Sequence, residues 1–586
     1  MALALINSVS KFLSLSWLLG PIFNKELRVS SRRRRNYILR FAYLSLLTIF
    51  LVLVWTEEVN YRGAAVYRIS RMAKAGQNIT VFIVWFQFCM TQLVAVIMLS
   101  TSISDEIYNR TLGLLMTTPV NSFQIVMGKL FSKLLQLILL LAISLPLLAI
   151  VRIFGGVPWN YVLSSLCITL TYIIFVGSLS LFFSIFSRRA YVIIILTTLT
   201  VGVLFALMPL LVMMLWYTLH WRQVMLEKYL SSAFFHLNPY AIMVFITEQM
   251  FNPRAGRGMP TIIWPIHCCV MLAGSSIMLA LSVFKVRKVA LRQVAGQITK
   301  KSKSIKQRKL TSVLRHVKGP PVLWKEMRLP VFGRHKLITF ITLGIGMILL
   351  VATYLFCANE NNLRYEGVHM VYVSIFMGLG ILFTIILPAT SITSEKESRS
   401  WPLLLSTTLS DWQILLGKLI GAIRRCLPIW ILLFGHIIVF SACSLIHPLA
   451  IFQMAILVAW IIVFLSCTGL YFSARFKHTT TAVVMNFALA AIIWGLIPFL
   501  MLFLIEIARM GDDLVKNYCN AIPFVQAVVV MDGTANRGAL QQFSWPEGPV
   551  TALASTLFML TFMIGYVFLG FLFAWRAKCQ FRRNIF

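Results

Sequence analysis

Acidic residues are scarce in this 586-residue chain: 18 Asp and Glu stand against 53 Lys and Arg, and charged residues of all kinds make up only 12%. Soluble domains carry about 25% charged residues, so this set could not cover a water-facing surface. Long polar stretches are missing too, which excludes a separate soluble domain. The ten cysteines form no CxxC and keep no regular spacing, and the nine histidines show no HExxH or Cys/His cluster, so a metal site has little support. Cys89, Cys167, Cys426 and Cys467 fall inside or beside apolar runs and read as small buried hydrophobes, with a Cys357–Cys519 bridge left as an alternative. No paired carboxylates or nucleophile constellation point to an enzyme. No span carries the row of carboxylates that a proton or sodium relay would need.

What the chain does have is apolar length. Hydrophobic residues are 59% of the total and the mean hydropathy is +0.84. Apolar runs near 20 residues recur throughout, enough to cross roughly 30 Å of hydrocarbon as helix. The spans are expected at about 37–55, 79–103, 130–151, 161–186, 191–217 and 262–284, then 337–356, 368–392, 419–446, 449–474, 480–505 and 549–575. The fold class is an all-α integral membrane protein of about 12 transmembrane helices. The domains are a lead-in helix at the cytoplasmic interface (1–36), a first six-span domain (37–284), a basic cytoplasmic linker (285–318), a second six-span domain with its own lead-in helix (319–575), and a basic cytoplasmic tail (576–586). The first twenty residues lack the basic start and cleavage site of a secretory signal, and read as interfacial helix.

The net charge of +35 lies in short stretches between the apolar runs, and not on a folded polar surface, so membrane lipid and not nucleic acid is the expected partner. Residues 285–318 hold twelve Lys/Arg and no acid, whereas 357–367 has Glu360 and Glu366 against Arg364. The Lys/Arg bias places both termini and the linker in the cytoplasm, with the chain in the inner (plasma) membrane. The loop 56–78, with four basic residues against Glu57 and Glu58, argues weakly the other way.

The two halves repeat. At a constant offset of 289, residues 102–130 match 391–419 at 12 of 29 positions, including Glu106/Glu395, Arg110/Arg399, Thr118/Thr407, Gln124/Gln413, Gly128/Gly417 and Lys129/Lys418. The register continues to Ser184/Ser473 and Pro209/Pro498, and a second match pairs Lys25–Glu26 with Lys325–Glu326 ahead of each first span. Long outer segments, 218–261 and 506–548, carry NPY (238–240) and IPF (522–524). Six spans per half make these parallel repeats.

The segment after the second span is predicted as a short helix over Glu106–Met116, ended by Thr117–Thr118–Pro119. Asn121-x-x-Gln124 and Ser410-x-x-Gln413 then have capping-box spacing. Lys129 and Lys418 follow where a lysine can snorkel to the interface. Caps and anchors explain each residue singly; a surface element kept in both halves points to a repeated partner.

Glu106, the stretch T-L-G-L-L-M-T-T-P (111–119) and Gly128–Lys129 resemble the same region of type-2 ATP-binding-cassette (ABC) transporter permeases, and the resemblance runs along essentially the whole chain. It implies both membrane domains of such a permease fused in one chain, an interfacial lead-in helix with Lys25, Glu26, Lys325 and Glu326, and re-entrant helices in the outer segments. It also implies coupling helices around Glu106, Arg110, Thr118, Glu395, Arg399 and Thr407, docking onto two copies of an ABC ATPase subunit that binds ATP and Mg. The second half departs in Trp401–Pro402 and Thr408, which stand for Leu112–Gly113 and Pro119. Gly128–Lys129 and Gly417–Lys418 are followed by leucine, and Phe123 and Trp412 stand where a Walker A begins, so this chain has no P-loop and no cofactor of its own.

Gln87, Thr91, Gln92, Thr197 and Asn486 are candidate pathway residues, with hydrogen bonding between helices as the alternative for each. Arg424 and Arg425, replacing Leu135 and Gln136, face either an anionic substrate or the cytoplasmic interface. The expected function is an export permease; the alternative is a secondary transporter driven by an ion gradient.

Overall fold

Apolar runs can satisfy their backbone groups inside hydrocarbon by coiling into helices, and the described residues are built almost wholly of them. The computed structural model describes residues 16–32, 34–59, 65–109, 111–115, 117–152, 156–186, 190–207, 235–252, 263–303, 319–328, 336–359, 362–498, 500–501, 513–535 and 539–582. The chain divides into two compact units, Met1–Thr311 and Ser312–Phe586.

The first unit runs α1 (Ser16–Ser31), α2 (Arg34–Val59), α3 (Ala65–Ser100), α4 (Ser104–Asn109), α5 (Leu112–Leu115), α6 (Ser122–Arg152), α7 (Trp159–Phe186), α8 (Ala190–Gly202), α9 (Pro239–Phe251) and α10 (Trp264–Lys303). The second runs α11 (Pro321–Arg328), α12 (Lys336–Asn359), α13 (Glu366–Ala389), α14 (Thr393–Glu397), α15 (Trp401–Leu405), α16 (Asp411–Ala442), α17 (Leu449–Arg475), α18 (Thr479–Ala491), α19 (Asp513–Cys519), α20 (Pro523–Thr534) and α21 (Ala552–Gln580). A hairpin, β1 (Phe543–Trp545) with β2 (Gly548–Val550), precedes α21 and pairs Phe543 with Val550.

Among the described residues nine helices are long and apolar enough to cross a membrane, or ten if the bent pair α19–α20, at 83°, counts as one span. Shorter apolar stretches, Arg40–Ile49, Val192–Phe205 and Gly346–Asn359, lie on the expected spans 37–55, 191–217 and 337–356.

Three features differ from the expectations. The helix of the sixth expected span does not stop near 284 but runs through Lys303, because the stretch that follows is rich in Lys, Arg, Ala and Gln and has no proline. The outer segment 506–548 carries, beside its helices, a β-hairpin that was not expected: Gly533 lies where a Cβ would sit 2.6 Å from the Phe543 ring, so the hairpin rests on α20. The single helix over 106–116 is two short helices, for a reason given below. The expectations for residues 1–15, Arg110, Pro209, 304–318 and 583–586 fall outside the described residues. All ten cysteines are free, Cys357 and Cys519 included, and Cys89 is exposed while Cys426 and Cys467 are buried.

Candidate functional site: paired ion clusters beneath the short helices

The short helices break at one peptide. In the second unit the Ser400 N–H bonds Glu395 O at 3.1 Å, the Arg399 N–H bonds Lys396 O at 3.1 Å, and Arg399 sits at φ 52°. This is a Schellman closure, with arginine in the left-handed position that glycine usually takes. In the first unit the Thr111 N–H makes the matching bond to Glu106 O at 3.0 Å, and its hydroxyl bonds the Glu106 carboxylate. A helix closed in this way cannot continue, so α4–α5 and α14–α15 each form a bent pair.

The repeated residues meet beneath that bend. Lys129 on α6 lies 3.0 Å from Glu106 on α4 and 3.5 Å from Glu26 on α1. Lys418 on α16 lies 2.6 Å from both Glu395 on α14 and Glu326 on α11. Lys325 reaches Glu395 at 3.0 Å, and Arg425 reaches Glu326 at 3.6 Å. In each unit one lysine therefore ties the lead-in helix, the short helical pair and the following long helix together. Three of the sequence expectations, made for separate reasons, converge on one cluster.

The expectation that Lys129 and Lys418 snorkel is corrected here: they are 5% and 2% exposed, held inward by two carboxylates each. An ammonium at such depth must be paired, because a buried unpaired charge is costly. For Glu395, burial works against its charge. The Lys418 charge, the hydrogen bonds from Lys418 and Lys325, and the Lys325 charge outweigh it, and the carboxyl lies below the ordinary carboxylate range. Burial likewise opposes the Glu106 charge; Lys129, the Thr111 hydroxyl and Lys25 leave its carboxyl lowered as well.

Arg424 and Arg425 belong to this cluster. Arg424 donates to the carbonyls of Glu326 and Met327 at the end of α11. In the first unit Gln136, aligned with Arg425, donates to Ser30 of α1 at 2.6 Å. The lead-in helix can lie this close because Gly421 lacks a side chain: a Cβ there would stand 2.6 Å from Glu326 Cβ.

The second unit adds fasteners. Lys396 donates to the carbonyls of Ser473, Ala474 and Phe476, ending α17. Glu397 accepts from the Thr479 N–H and hydroxyl, both at 2.7 Å, starting α18. Trp401 is buried against Phe581 with ring centroids 5.0 Å apart, and Arg582 pairs with Asp411 at 2.9 Å. Ile107, Tyr108 and Leu112 stand at the aligned positions 396, 397 and 401 in the first unit. These extra residues were missed in the sequence, although the charged pair Lys396–Glu397 interrupting the repeat was a signal.

At the tips the aligned leucines Leu114 and Leu403 are 71% and 73% exposed. Thr118 and Thr407 close the short helices by bonding Leu115 O and Leu404 O at 2.5 and 2.6 Å, and both are exposed.

The five candidate pathway residues are occupied within their own units. Asn486 donates to Ile385 O at 2.8 Å and accepts from the Thr468 hydroxyl at 2.8 Å, beside Gly469. The aligned carbonyl of the first unit, Val96 O, is met at 3.4 Å by Ser180, which aligns with Gly469. Thr197 and Thr91 bond carbonyls of their own helices. Gln87 accepts from Ser144 and Gln92 from Tyr240, and among the described residues the buried amide Nε2 of each meets no partner.

Among the described residues no group of three or more His, Cys, Asp or Glu could hold a metal ion. A comparison with known families gives a match over residues 282–575 to the model described as ABC-2 family transporter protein. No curated protein and no solved structure matches the chain.

Proposed function

The chain belongs to the ABC-2 family of membrane transporter proteins, and from that premise we propose that it is the permease subunit of an ATP-driven exporter, with two six-span domains fused in one polypeptide. The six-span count of each half rests on nine long apolar helices plus the three shorter stretches on the remaining expected spans. One observation supports the fused reading most. The family match begins at residue 282, yet Lys129, Glu106 and Glu26 of the unmatched half build the same ion cluster as Lys418, Glu395 and Glu326.

On this reading α4–α5 and α14–α15 are coupling elements facing the cytoplasm, each docking on one ABC ATPase subunit that binds ATP and Mg. Leu114 and Leu403 are the apolar anchors, since a few exposed apolar side chains dominate such contacts, and Thr118 and Thr407 border them. Glu106, Glu395 and Arg399 act by shaping the element. ATP-driven closure of the two ATPases pulls on the tips; each ion cluster passes the pull to the lead-in helix and the third span, and the translocation path switches access. The chain lies in the inner (plasma) membrane with both termini cytoplasmic.

The test is copurification in mild detergent. The wild-type chain brings an ABC ATPase with it, and the pair Leu114→Asp and Leu403→Asp loses it while remaining folded and monodisperse. Transport that follows an ion gradient, with no ATPase bound to the wild type, would replace this reading with that of a secondary transporter.

A further inference from the structure

At the end of the second unit opposite its ion cluster, α12, α13 and α16 meet around two imidazoles. His369 lies in the first turn of α13 and His436 near the end of α16; they are 1% and 3% exposed. Neither takes part in the coupling machinery.

One carbonyl fixes every proton in this group. Leu363 O can only accept, so His369 Nε2, 2.9 Å away, carries a hydrogen. With His369 neutral, its Nδ1 is a bare acceptor facing His436 Nε2 at 3.4 Å, which therefore donates. His436 Nδ1 is then bare, and the Tyr354 hydroxyl donates to it across 2.8 Å. The chain from Tyr354 through His436 and His369 to the Leu363 carbonyl runs in one direction with every group neutral.

Aromatic rings enclose His436. Centroid separations are 4.7 Å to Phe440, 5.5 Å to Tyr372, 5.6 Å to Tyr354 and 6.0 Å to Phe376. Ring faces at about 6 Å attract a cation, while burial of the imidazole opposes its charge. The titratable groups beside the pair are Tyr354 and Cys357 from α12 and Tyr372 from α13, with Cys357 Sγ 3.9 Å from the Tyr372 hydroxyl. Arg364 and Glu366 precede His369 in the chain. Among the described residues α16, α17, α18 and α20, the elements packed on α13, bring no Asp, Glu, Lys or Arg into a hydrogen bond or ion pair with either imidazole.

We propose that His369 and His436 form a binding site for a single proton, joining three helices at this end of the second unit. The proton adds to His436 Nδ1, forming an N–H bond, and the Tyr354 hydroxyl turns from donor to acceptor; no other bond in the chain reverses. A second proton has no place. On His369 Nδ1 it would face the His436 Nε2–H and set two like charges side by side. In the first unit Thr80 and Leu147 occupy the aligned positions, so only the second unit carries the site. That this end faces the outside, and hence senses external acid, rests on the topology in the proposed function; the site itself does not.

The test is nitrogen-15 solid-state NMR of the full chain, labelled at histidine, in lipid vesicles between about pH 8 and about pH 3, a window wide enough for a buried imidazole. His369→Gln and Tyr354→Phe assign the two signals, the latter removing one hydroxyl and no ring. Both residues are expected as Nε2–H neutral tautomers at the upper pH. Of the pair, acidification converts His436 alone to imidazolium. Tyr354→Phe weakens this uptake roughly fivefold, the difference between a charged and a neutral hydrogen bond. First protonation at His369, conversion of both rings together, or conversion of neither in the folded chain overturns the proposal. A shift of both signals by Zn²⁺ at the upper pH also overturns it, in favour of a metal site.

Discussion

Two short helical pairs, α4–α5 and α14–α15, occupy the same place in the two repeats and are fastened differently. In the first, Lys129 meets carboxylates that are 23% and 19% exposed, at 3.5 and 3.0 Å. In the second, Lys418 meets carboxylates that are 3% and 12% exposed, both at 2.6 Å, with Arg425 and Lys325 adding further charge. Lys396, Glu397 and Trp401 then bind the second element to the ends of α17, α18 and α21, and its first-unit counterparts are Ile107, Tyr108 and Leu112. Among the described residues the first element pairs its charges in one wetter cluster and packs Ile107 and Leu112 as buried apolar residues, whereas the second has a dry cluster and three more attachments through Lys396, Glu397 and Trp401. The two units share one tie, and the second surrounds it with more charged and aromatic attachments.

Removing the central lysines tests this contrast most severely. Lys418→Met leaves two nearly dry carboxylates without their partner and is expected to cost about 3–5 kcal/mol. Lys129→Met costs less than half of that, because water reaches its carboxylates. Thermal unfolding in detergent reads both, and equal losses would abolish the contrast. Next in size is Gly421→Ala, whose added carbon lies 2.6 Å from Glu326 Cβ. It is expected to cost about 1–3 kcal/mol by overpacking, whereas Ser132→Ala at the aligned position changes stability by a few tenths.

Acid should loosen both ties. The Glu106 and Glu395 carboxyls are held below their unfolded value of about 4.3. Their contribution is fully present above that pH and is lost as pH falls through the folded values. Hydrogen exchange of residues 20–31 and 319–328 should rise together with carboxyl protonation; protection of the lead-in helices that persists at low pH would show that other contacts hold them. The smallest effect is in the caps. Ser410 and Gln413 complete a capping box at α16, while the described residues of α6 make only the return bond, in which the Asn121 N–H donates to Gln124 Oε1 at 3.3 Å. Ser410→Ala is expected to cost about 1 kcal/mol and Asn121→Ala less, measurable by exchange in the first turn of each helix.

The sequence made the long helices legible because twenty apolar residues in hydrocarbon have few alternatives to coiling. It made the repeat legible because Glu106/Glu395 and Lys129/Lys418 are polar and share one register. Their partnership was not legible: Glu26 and Lys129 are about a hundred residues apart, and each had a sufficient local explanation as an anchor or a cap. The candidate pathway residues illustrate the same limit. Asn486 and Thr197 align, yet the work of Asn486 on the Ile385 carbonyl is done in the first unit by Ser180, on another helix. A hydrogen-bond need is fixed by how closely helices cross, and a sequence does not state that distance.

Composition and the length of the apolar runs alone determined a membrane protein, since charge this sparse and apolar runs this long admit few other solvents. Tertiary structure decided the rest. Lys129 and Lys418 read as residues reaching outward to water, and packing turned them inward, because two carboxylates from other helices supply what water would have supplied. It also bent the element at Arg399, opened room for Glu326 at Gly421, and drew His369 and His436 together from 67 residues apart. Such encounters depend on which helix faces meet, and only the folded chain brings those faces into contact.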